Sequence, residues 1–127
     1  MWIEQNPNPV GRRVSDCSVR AVCLALDIDW ETAYMAIAIN GMRMGDMMDV
    51  NTVWGSVLRQ NGFQRAVLPN TCPDCYTVRD FCRDHPRGVF VLGLPRHVVC
   101  EIDGDWNDTW DSGDETVLYY WYRKDEE

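Results

Sequence analysis

The helix that decides the fold is predicted from the stretch Ser15-Asp16-Cys17-Ser18-Val19-Arg20-Ala21-Val22-Cys23-Leu24-Ala25-Leu26. Its apolar residues follow the helical period on two stripes, which indicates a helix buried on most sides, from a cap at Ser15 or Asp16 to about Leu26. Cys17 falls in the first turn, where backbone N–H groups lack partners and the helix dipole is positive. Such surroundings lower the pKa of a thiol and favour a nucleophilic thiolate.

Three further helices are predicted before residue 86. Asp29 caps the second, which the apolar period carries to Asn40-Gly41. The third begins near Val50 and ends at Asn61-Gly62, while Thr77-Val78-Arg79-Asp80 resembles a capping box that opens a short fourth helix, closed by Pro86.

From Gly88 onward the apolar pattern changes to that of strands. The predicted strands are Val89–Leu92, His97–Ile102, a return strand running through Trp106 to Trp110, and Val117–Tyr122. Asp103-Gly104 is a strong hairpin-turn signal between the second and third of these. The sequence therefore predicts an α+β fold in which N-terminal helices, with the helix of Cys17 at the centre, pack on a C-terminal antiparallel sheet.

Composition limits the classes of protein to consider. The chain has 127 residues, 46% of them hydrophobic, and a net charge of -8, which predicts one domain spanning residues 1–127 with a packed core. The acidic balance argues against nucleic acid or an anionic membrane as partner and favours a cationic or neutral substrate. We predict a cytoplasmic protein because neither a signal peptide nor a membrane span is evident. The acidic end, residues 124–127, is predicted to be solvated.

Six cysteines need separate explanations, and in a reducing compartment they are core residues, metal ligands or nucleophiles. Cys23 and Cys100 have apolar neighbours and are assigned to the core. The pattern C-x2-C-x6-C-x2-H is formed by Cys72, Cys75, Cys82 and His85, a set that could close a tetrahedral zinc site. The competing interpretation is a turn around Pro73-Asp74, a core Cys82, and His85 beside the C-terminal carbonyls of its helix. Because no second CxxC is present, we predict no metal and keep zinc as the alternative.

His97 begins a predicted strand and is the candidate partner of Cys17. The turn after this strand decides which acid faces the His97 ring. A two-residue turn at Asp103-Gly104 places Asp108 on the same face of the sheet as His97, in the diagonal position. A three-residue turn places Asp111 opposite His97 instead.

This order of Cys17 at a helix start, His97 at a strand start and an acid on the following strand resembles the papain-like cysteine peptidase superfamily. The segments Asn6-Pro7-Asn8-Pro9-Val10-Gly11-Arg12-Arg13 and Asp108-Thr109-Trp110-Asp111-Ser112 are similar to those of small uncharacterised papain-like proteins of bacteria and their phages. The resemblance spans nearly the whole chain. It implies a cysteine hydrolase of the peptidase or isopeptidase kind, with a peptide or protein substrate and no cofactor.

The resemblance also assigns roles to residues. Cys17 is the expected nucleophile and His97 the general acid and base. Asp111 is the expected orienting group, since it falls at the strand end where the superfamily keeps that residue, and Asp108 is the alternative. The superfamily commonly places a glutamine upstream as an oxyanion donor, but Gly11 lies six residues before Cys17, so Asn8 and Gln5 become the candidate donors.

Two other functions are alternatives to the cysteine hydrolase. The first is a non-catalytic papain-like module that binds a host or phage protein, because the Gly-Ser-Cys-Trp neighbourhood of papain is absent. The second is a small zinc-stabilised interaction domain centred on Cys72 and Cys75. The sequence makes no prediction of oligomeric state.

Overall fold

The computed structural model describes residues 1–123 and has four helices and one six-stranded sheet, so the predicted α+β class is confirmed. The acidic end, residues 124–127, lies outside the described residues. In chain order the elements are β1 (Trp2–Glu4), α1 (Cys17–Leu26), α2 (Trp30–Met44), α3 (Asn51–Gln60), β2 (Phe63–Val67), α4 (Val78–Asp84), β3 (Val89–Leu94), β4 (His97–Ile102), β5 (Asp105–Asp108) and β6 (Tyr119–Arg123).

The sheet has the strand order β1-β5-β4-β3-β6-β2. Every neighbouring pair is antiparallel except β1 and β5, which are parallel, so the expected antiparallel sheet is in fact mixed. The expectation that helices come first is also corrected, because β1 and β2 lie within the first 70 residues. One hydrophobic cluster joins α1, α2 and α3 to one side of the sheet, and a second joins α4 to other strand residues.

Helix α1 packs on β4 and β3 and is buried along most of its length, as its two apolar stripes predict. It begins at Cys17, and its C-cap Asp27 adopts a left-handed conformation with φ of 54°. The N-cap Asp16 makes no side-chain cap, because its carboxylate is bonded elsewhere. The burial of α1 fixes the position of Cys17 relative to β4.

Helix α2 begins as predicted, with the Asp29 side chain accepting from the Thr32 N–H at 2.8 Å. The predicted end at Asn40-Gly41 is wrong, since the helix continues to Met44 and ends at Gly45 with φ of 68°. Asn40 is held in the helix by its side chain, which donates to Ser56 and Gln60 on α3. Position 41 requires glycine, because a Cβ there would lie only 2.9 Å from the Asp46 carbonyl oxygen.

The turn from β4 to β5 has two residues, Asp103 and Gly104, with φ of 50° and 85°. These values suit the hairpin turn that the sequence predicts at this point. The resulting register pairs Ile102 with Asp105 and Cys100 with Asn107. Asp108, at the end of β5, is therefore diagonal to His97 at the start of β4.

The capping box of α4 is formed as predicted, with Thr77 accepting from the Asp80 N–H and Asp80 accepting from the Thr77 N–H. None of the helices among the described residues has the length and apolar character that a membrane crossing requires.

Candidate active site

A thiol, an imidazole and a carboxylate meet where α1, β4 and β5 approach one another. The Cys17 sulfur lies beside the His97 side chain and the Val98 backbone N–H, both of which lower its pKa. On the other side of the ring, His97 Nε2–H donates to Asp108 Oδ2 at 2.7 Å. Since Nε2 is directed at the carboxylate, Nδ1 is the ring nitrogen left for the sulfur. The order of groups suits nucleophilic catalysis, in which a third group orients the base.

The Asp108 carboxylate is almost fully buried, with 1% of its side chain exposed. Besides His97, it accepts from the Ser112 hydroxyl at 2.8 Å, the Thr109 backbone N–H at 2.8 Å and Arg20 Nη1 at 3.1 Å. A buried carboxylate needs such partners, because an unpaired charge in the interior is costly. Both oxygens are therefore fixed, and the His97 ring is held in one orientation.

The expectation that Asp111 orients His97 is corrected by this geometry. Asp111 is exposed, and its Oδ1 accepts from Trp106 Nε1 at 2.9 Å and from the Gly113 N–H at 3.0 Å. The physical reason is the two-residue turn at Asp103-Gly104, which brings Asp108 rather than Asp111 to the ring. Asp108, the alternative acid in the sequence analysis, is the one in contact.

A buried arginine links α1 to the acid. Arg20 Nε donates to Asp16 Oδ1 at 3.0 Å while its Nη1 reaches Asp108, and only 9% of the Arg20 side chain is exposed. Asp16 also accepts from Trp30 Nε1 at 3.0 Å. The residue just before the thiol is therefore tied through Arg20 to the carboxylate that holds His97.

The electrostatics of the site favour a thiolate paired with an imidazolium. Burial alone would raise the pKa of the Cys17 thiol, but hydrogen bonds from His97 and the Val98 N–H, with the nearby charges of His97 and Arg20, lower it overall. Burial likewise opposes the charged form of His97, yet Asp108 and Cys17 together raise its pKa to about 9. The partners of Asp108 outweigh its burial and hold the pKa of its carboxyl below the ordinary value.

Cys17 differs from the other free cysteines in this respect. Cys23, Cys82 and Cys100 are buried, as the sequence predicts for Cys23 and Cys100. Burial raises the pKa of Cys23 to about 11 and that of Cys82 to about 12, and it raises the pKa of Cys100 further. Half-buried Cys17 is the free cysteine whose pKa is lowered, so it is the reactive candidate.

An open cleft of about 450 Å³ gives access to the sulfur. Its wall includes the Pro95-Arg96 turn before His97, together with Asn51 at the start of α3 and Tyr119 on β6. Trp110 packs against the His97 ring with the centroids 5.0 Å apart. Cys17 and His97 therefore both line an open cleft, and Trp110 contacts the His97 ring.

The two amides predicted as oxyanion donors are not among the residues that line this cleft. Asn8 is buried in the entry segment, where its Oδ1 accepts from the Val10 N–H at 3.0 Å. Gln5 is exposed, and its backbone N–H donates to the Asp108 carbonyl at 3.0 Å. Both are corrected as candidates. The amide that does line the cleft is Asn51, which the sequence analysis missed because its only signal was a position at the start of α3.

The zinc alternative is also corrected. Cys72 and Cys75 are joined by a disulfide, Cys82 is buried in the cluster around α4, and His85 Nδ1 lies 2.9 Å from the Phe81 carbonyl oxygen. Within residues 1–123, no group of three or more His, Cys, Asp or Glu side chains is arranged to hold a metal ion. The arrangement of Cys82 and His85 is that of the competing interpretation.

In comparisons with known proteins, no protein-family model, no curated protein and no solved structure matches the chain.

Proposed function

We propose that the protein is a papain-like cysteine hydrolase that cleaves a peptide, isopeptide or related amide bond. Cys17 is the nucleophile, His97 the general acid and base, and Asp108 the group that orients His97. The observation that carries the proposal is the placement of His97 beside the Cys17 thiol, whose pKa it lowers, and within 2.7 Å of Asp108 Oδ2. The lowered pKa of Cys17, set against the raised pKa values of the other free cysteines, supports it.

In the first half-reaction the Cys17 thiolate attacks the carbonyl carbon of the scissile amide. The carbon–sulfur bond forms while the carbonyl π electrons move onto oxygen. The His97 imidazolium then gives its proton to the amide nitrogen as the carbon–nitrogen bond breaks, so the amine leaves and a thioester forms on Cys17.

In the second half-reaction neutral His97 takes a proton from water, and the resulting hydroxide adds to the thioester carbonyl. Collapse of this intermediate expels the Cys17 thiolate and releases a carboxylic acid, while His97 is again an imidazolium. Asp108 stays ionised throughout and stabilises the imidazolium form. The free enzyme is thus regenerated.

The developing oxyanion needs hydrogen-bond donors near the first turn of α1, where Cys17 lies. The N–H groups of the first turn have no partners within the helix, and that of Cys17 itself is the first donor in this proposal. Asn51 lines the same cleft, and its side-chain amide is the second. Loss of one such donor typically lowers turnover about 10²- to 10³-fold.

The proposal is tested by turnover on a peptide mixture prepared by digesting a bacterial proteome. Wild-type protein should generate new termini, detected by mass spectrometry, and Cys17→Ala should not. His97→Ala should lose at least about 10²-fold in rate. His85→Ala, which alters the only other histidine, is the matched control and should retain turnover if circular dichroism shows it folded.

Wild-type protein that forms neither cleaved peptides nor a thioester on Cys17 would contradict the hydrolase. If Cys17→Ser also keeps every biological effect of the wild type, the non-catalytic binding module becomes the better account.

A further inference from the structure

A second pocket adjoins the cleft of Cys17. It has a volume of about 250 Å³ and shares two wall residues with the cleft, Asn51 and Tyr119. The other residues that line it are Thr52, Gly55, Arg59, Arg65 and Trp121. A ligand that occupies the cleft can therefore extend into this pocket.

Two arginines form the rim of the pocket. The Arg65 guanidinium lies over the Tyr119 ring at 4.3 Å from the centroid, and that of Arg59 lies over Trp121 at 4.9 Å. Stacking on an aromatic face positions a guanidinium and leaves its N–H groups directed outward. The ring contacts therefore favour positions of both exposed guanidinium groups at the pocket beside the cleft.

Neither arginine forms an ion pair with a carboxylate within residues 1–123. Arg20, Arg79 and Arg83 each make an ion pair with an aspartate, whereas no residue that the structure describes forms one with Arg59 or Arg65. The described lining of the pocket contains no Asp or Glu. Two cations that pair with no described carboxylate line one concave site, which makes this site attractive to an anion.

Trp121 in the pocket wall carries a buried indole N–H group. Trp121 Nε1 is buried and makes no hydrogen bond to any described residue. An unpaired buried donor is uncommon, because the lost hydrogen bond costs free energy. The signal of this N–H group can therefore report on a ligand in the pocket, whose hydrogen-bond donors are the two guanidinium groups and the amide of Asn51.

The pocket lies within reach of a peptide bound at Cys17. Asn51, Gly55 and Arg59 recur every fourth residue and so lie on one face of α3. Eight residues of helix span about 12 Å, which is the length of roughly three to four extended residues. Gly55 leaves this face of α3 without a side chain at its middle, where a Cβ would overlap the Trp121 ring.

We propose that this pocket is a subsite for a carboxylate of the substrate, such as an acidic side chain or a chain terminus, within about four residues of the scissile bond. The inference rests on the proposed hydrolase. It reverses the preference for cationic or neutral substrates expected from the net charge of -8, because the charge around the pocket is locally positive. Burial raises the pKa of Tyr119, Arg65 opposes that shift and Cys17 adds to it, which supports the closeness of pocket and thiol.

The first test measures binding without any chemistry at Cys17. Glutarate is titrated into ¹⁵N-labelled protein while the indole N–H signal of Trp121 is followed, with the uncharged glutaramide as the matched ligand. Glutarate should shift the signal to saturation, and Arg65→Gln should weaken its binding about tenfold, as expected for loss of a charge-assisted hydrogen bond. Arg87→Gln, which changes an exposed arginine outside both cavities, should bind as the wild type does.

The second test measures whether a peptide that binds in the pocket also covers Cys17 in the cleft. The peptide amide acetyl-Ala-Glu-Ala-Glu-Ala-NH2 should protect Cys17 from iodoacetamide at a concentration about tenfold lower than its glutamine counterpart does. Arg65→Gln should remove the difference between the two peptides. Inorganic phosphate is titrated in parallel to distinguish a carboxylate site from a phosphate site.

The outcomes separate this inference from the proposed function. Equal effects of glutarate and glutaramide, unchanged glutarate binding in Arg65→Gln, equal protection by the two peptides, or binding of phosphate alone would each overturn the carboxylate subsite while leaving the hydrolase intact. Glutarate binding with an unreactive Cys17 would instead overturn the hydrolase.

Discussion

At the residue scale, Asp108 connects the chemistry of the site to its architecture. Its Oδ2 accepts from His97 and Ser112, and its Oδ1 accepts from Arg20 and the Thr109 N–H. The His97 pKa of about 9 depends on this negative charge against the opposing effect of burial. Asp108 is therefore a positioning residue that also sets the protonation state of the imidazole.

Asp108→Asn should lower the pKa of His97 by about one unit or more, since it removes the adjacent charge but keeps the shape of the side chain. The measurement is an NMR titration of the His97 ring. Asp111→Asn is the matched control and should leave that pKa unchanged, because Asp111 bonds to Trp106 and Gly113. Equal shifts in the two variants would contradict the assignment of Asp108.

The identity of the acid shows how far sequence reasoning extends at this scale. Cys17 and His97 could be found from their positions at the start of a helix and of a strand. The choice between Asp108 and Asp111 depended on one residue of turn length, because register decides which side chain faces the ring. The position of Asn51 could not be predicted, since it depends on how α3 packs beside α1.

At the scale of elements, α1 is joined to the end of β5 by Arg20. Arg20→Met should lower the free energy of unfolding by roughly 3 to 5 kcal/mol, because it leaves the buried carboxylates of Asp16 and Asp108 without their shared cation. Chemical denaturation at neutral pH measures the change.

Arg79→Met is the control for Arg20→Met. Arg79 pairs with Asp114 at 3.3 Å, but 54% and 88% of the two side chains are exposed, so its loss should cost at most about 1 kcal/mol. Similar losses in the two variants would mean that Arg20 does not tie α1 to β5.

The elements also differ in how well they could be predicted. The boundaries of α1 and β4 follow from strong apolar patterns, and Thr77 and Asp80 mark the start of α4. The end of α2 was missed because the Asn40 side chain is held by hydrogen bonds to Ser56 and Gln60 on α3, which outweigh the helix-ending preference of Asn40-Gly41. Strand β1 has three residues and pairs with β5, over one hundred positions away, so no local sequence pattern predicts it.

At the scale of the whole molecule, buried Glu101 and half-buried His97 make the free energy of unfolding fall as the pH rises. Burial raises the pKa of Glu101 to about 8, and His97 has a pKa of about 9. The pKa values of both groups are higher in the folded chain than in the unfolded chain. The contribution of the two groups to the free energy of unfolding is therefore complete below the unfolded pKa values and is lost as the pH rises through 8 and 9. Asp108 has the opposite effect, because its pKa is lowered in the folded chain. Its contribution to the free energy of unfolding is lost when its carboxylate is protonated in strong acid.

Glu101→Gln should flatten this dependence. Glu101 lies on β4 with no exposed surface; its Oε1 accepts from the Gly104 N–H, and its Oε2 has no partner among the described residues. At pH 9 the variant should be more stable than the wild type by on the order of 3 kcal/mol, and this advantage should disappear near pH 5. Urea denaturation across this range measures it, with exposed Glu4→Gln as the control. A constant difference at all pH values would contradict the account.

The rate of Cys17 alkylation by iodoacetamide as a function of pH, followed residue by residue with mass spectrometry, tests directly whether His97 activates Cys17. The wild-type rate should rise through a midpoint below the ordinary thiol value of 9.0, and in His97→Ala the midpoint should move upward, because the Val98 N–H and Arg20 then oppose burial without the imidazole. A wild-type midpoint at 9, unchanged in His97→Ala, would contradict the claim that His97 activates Cys17.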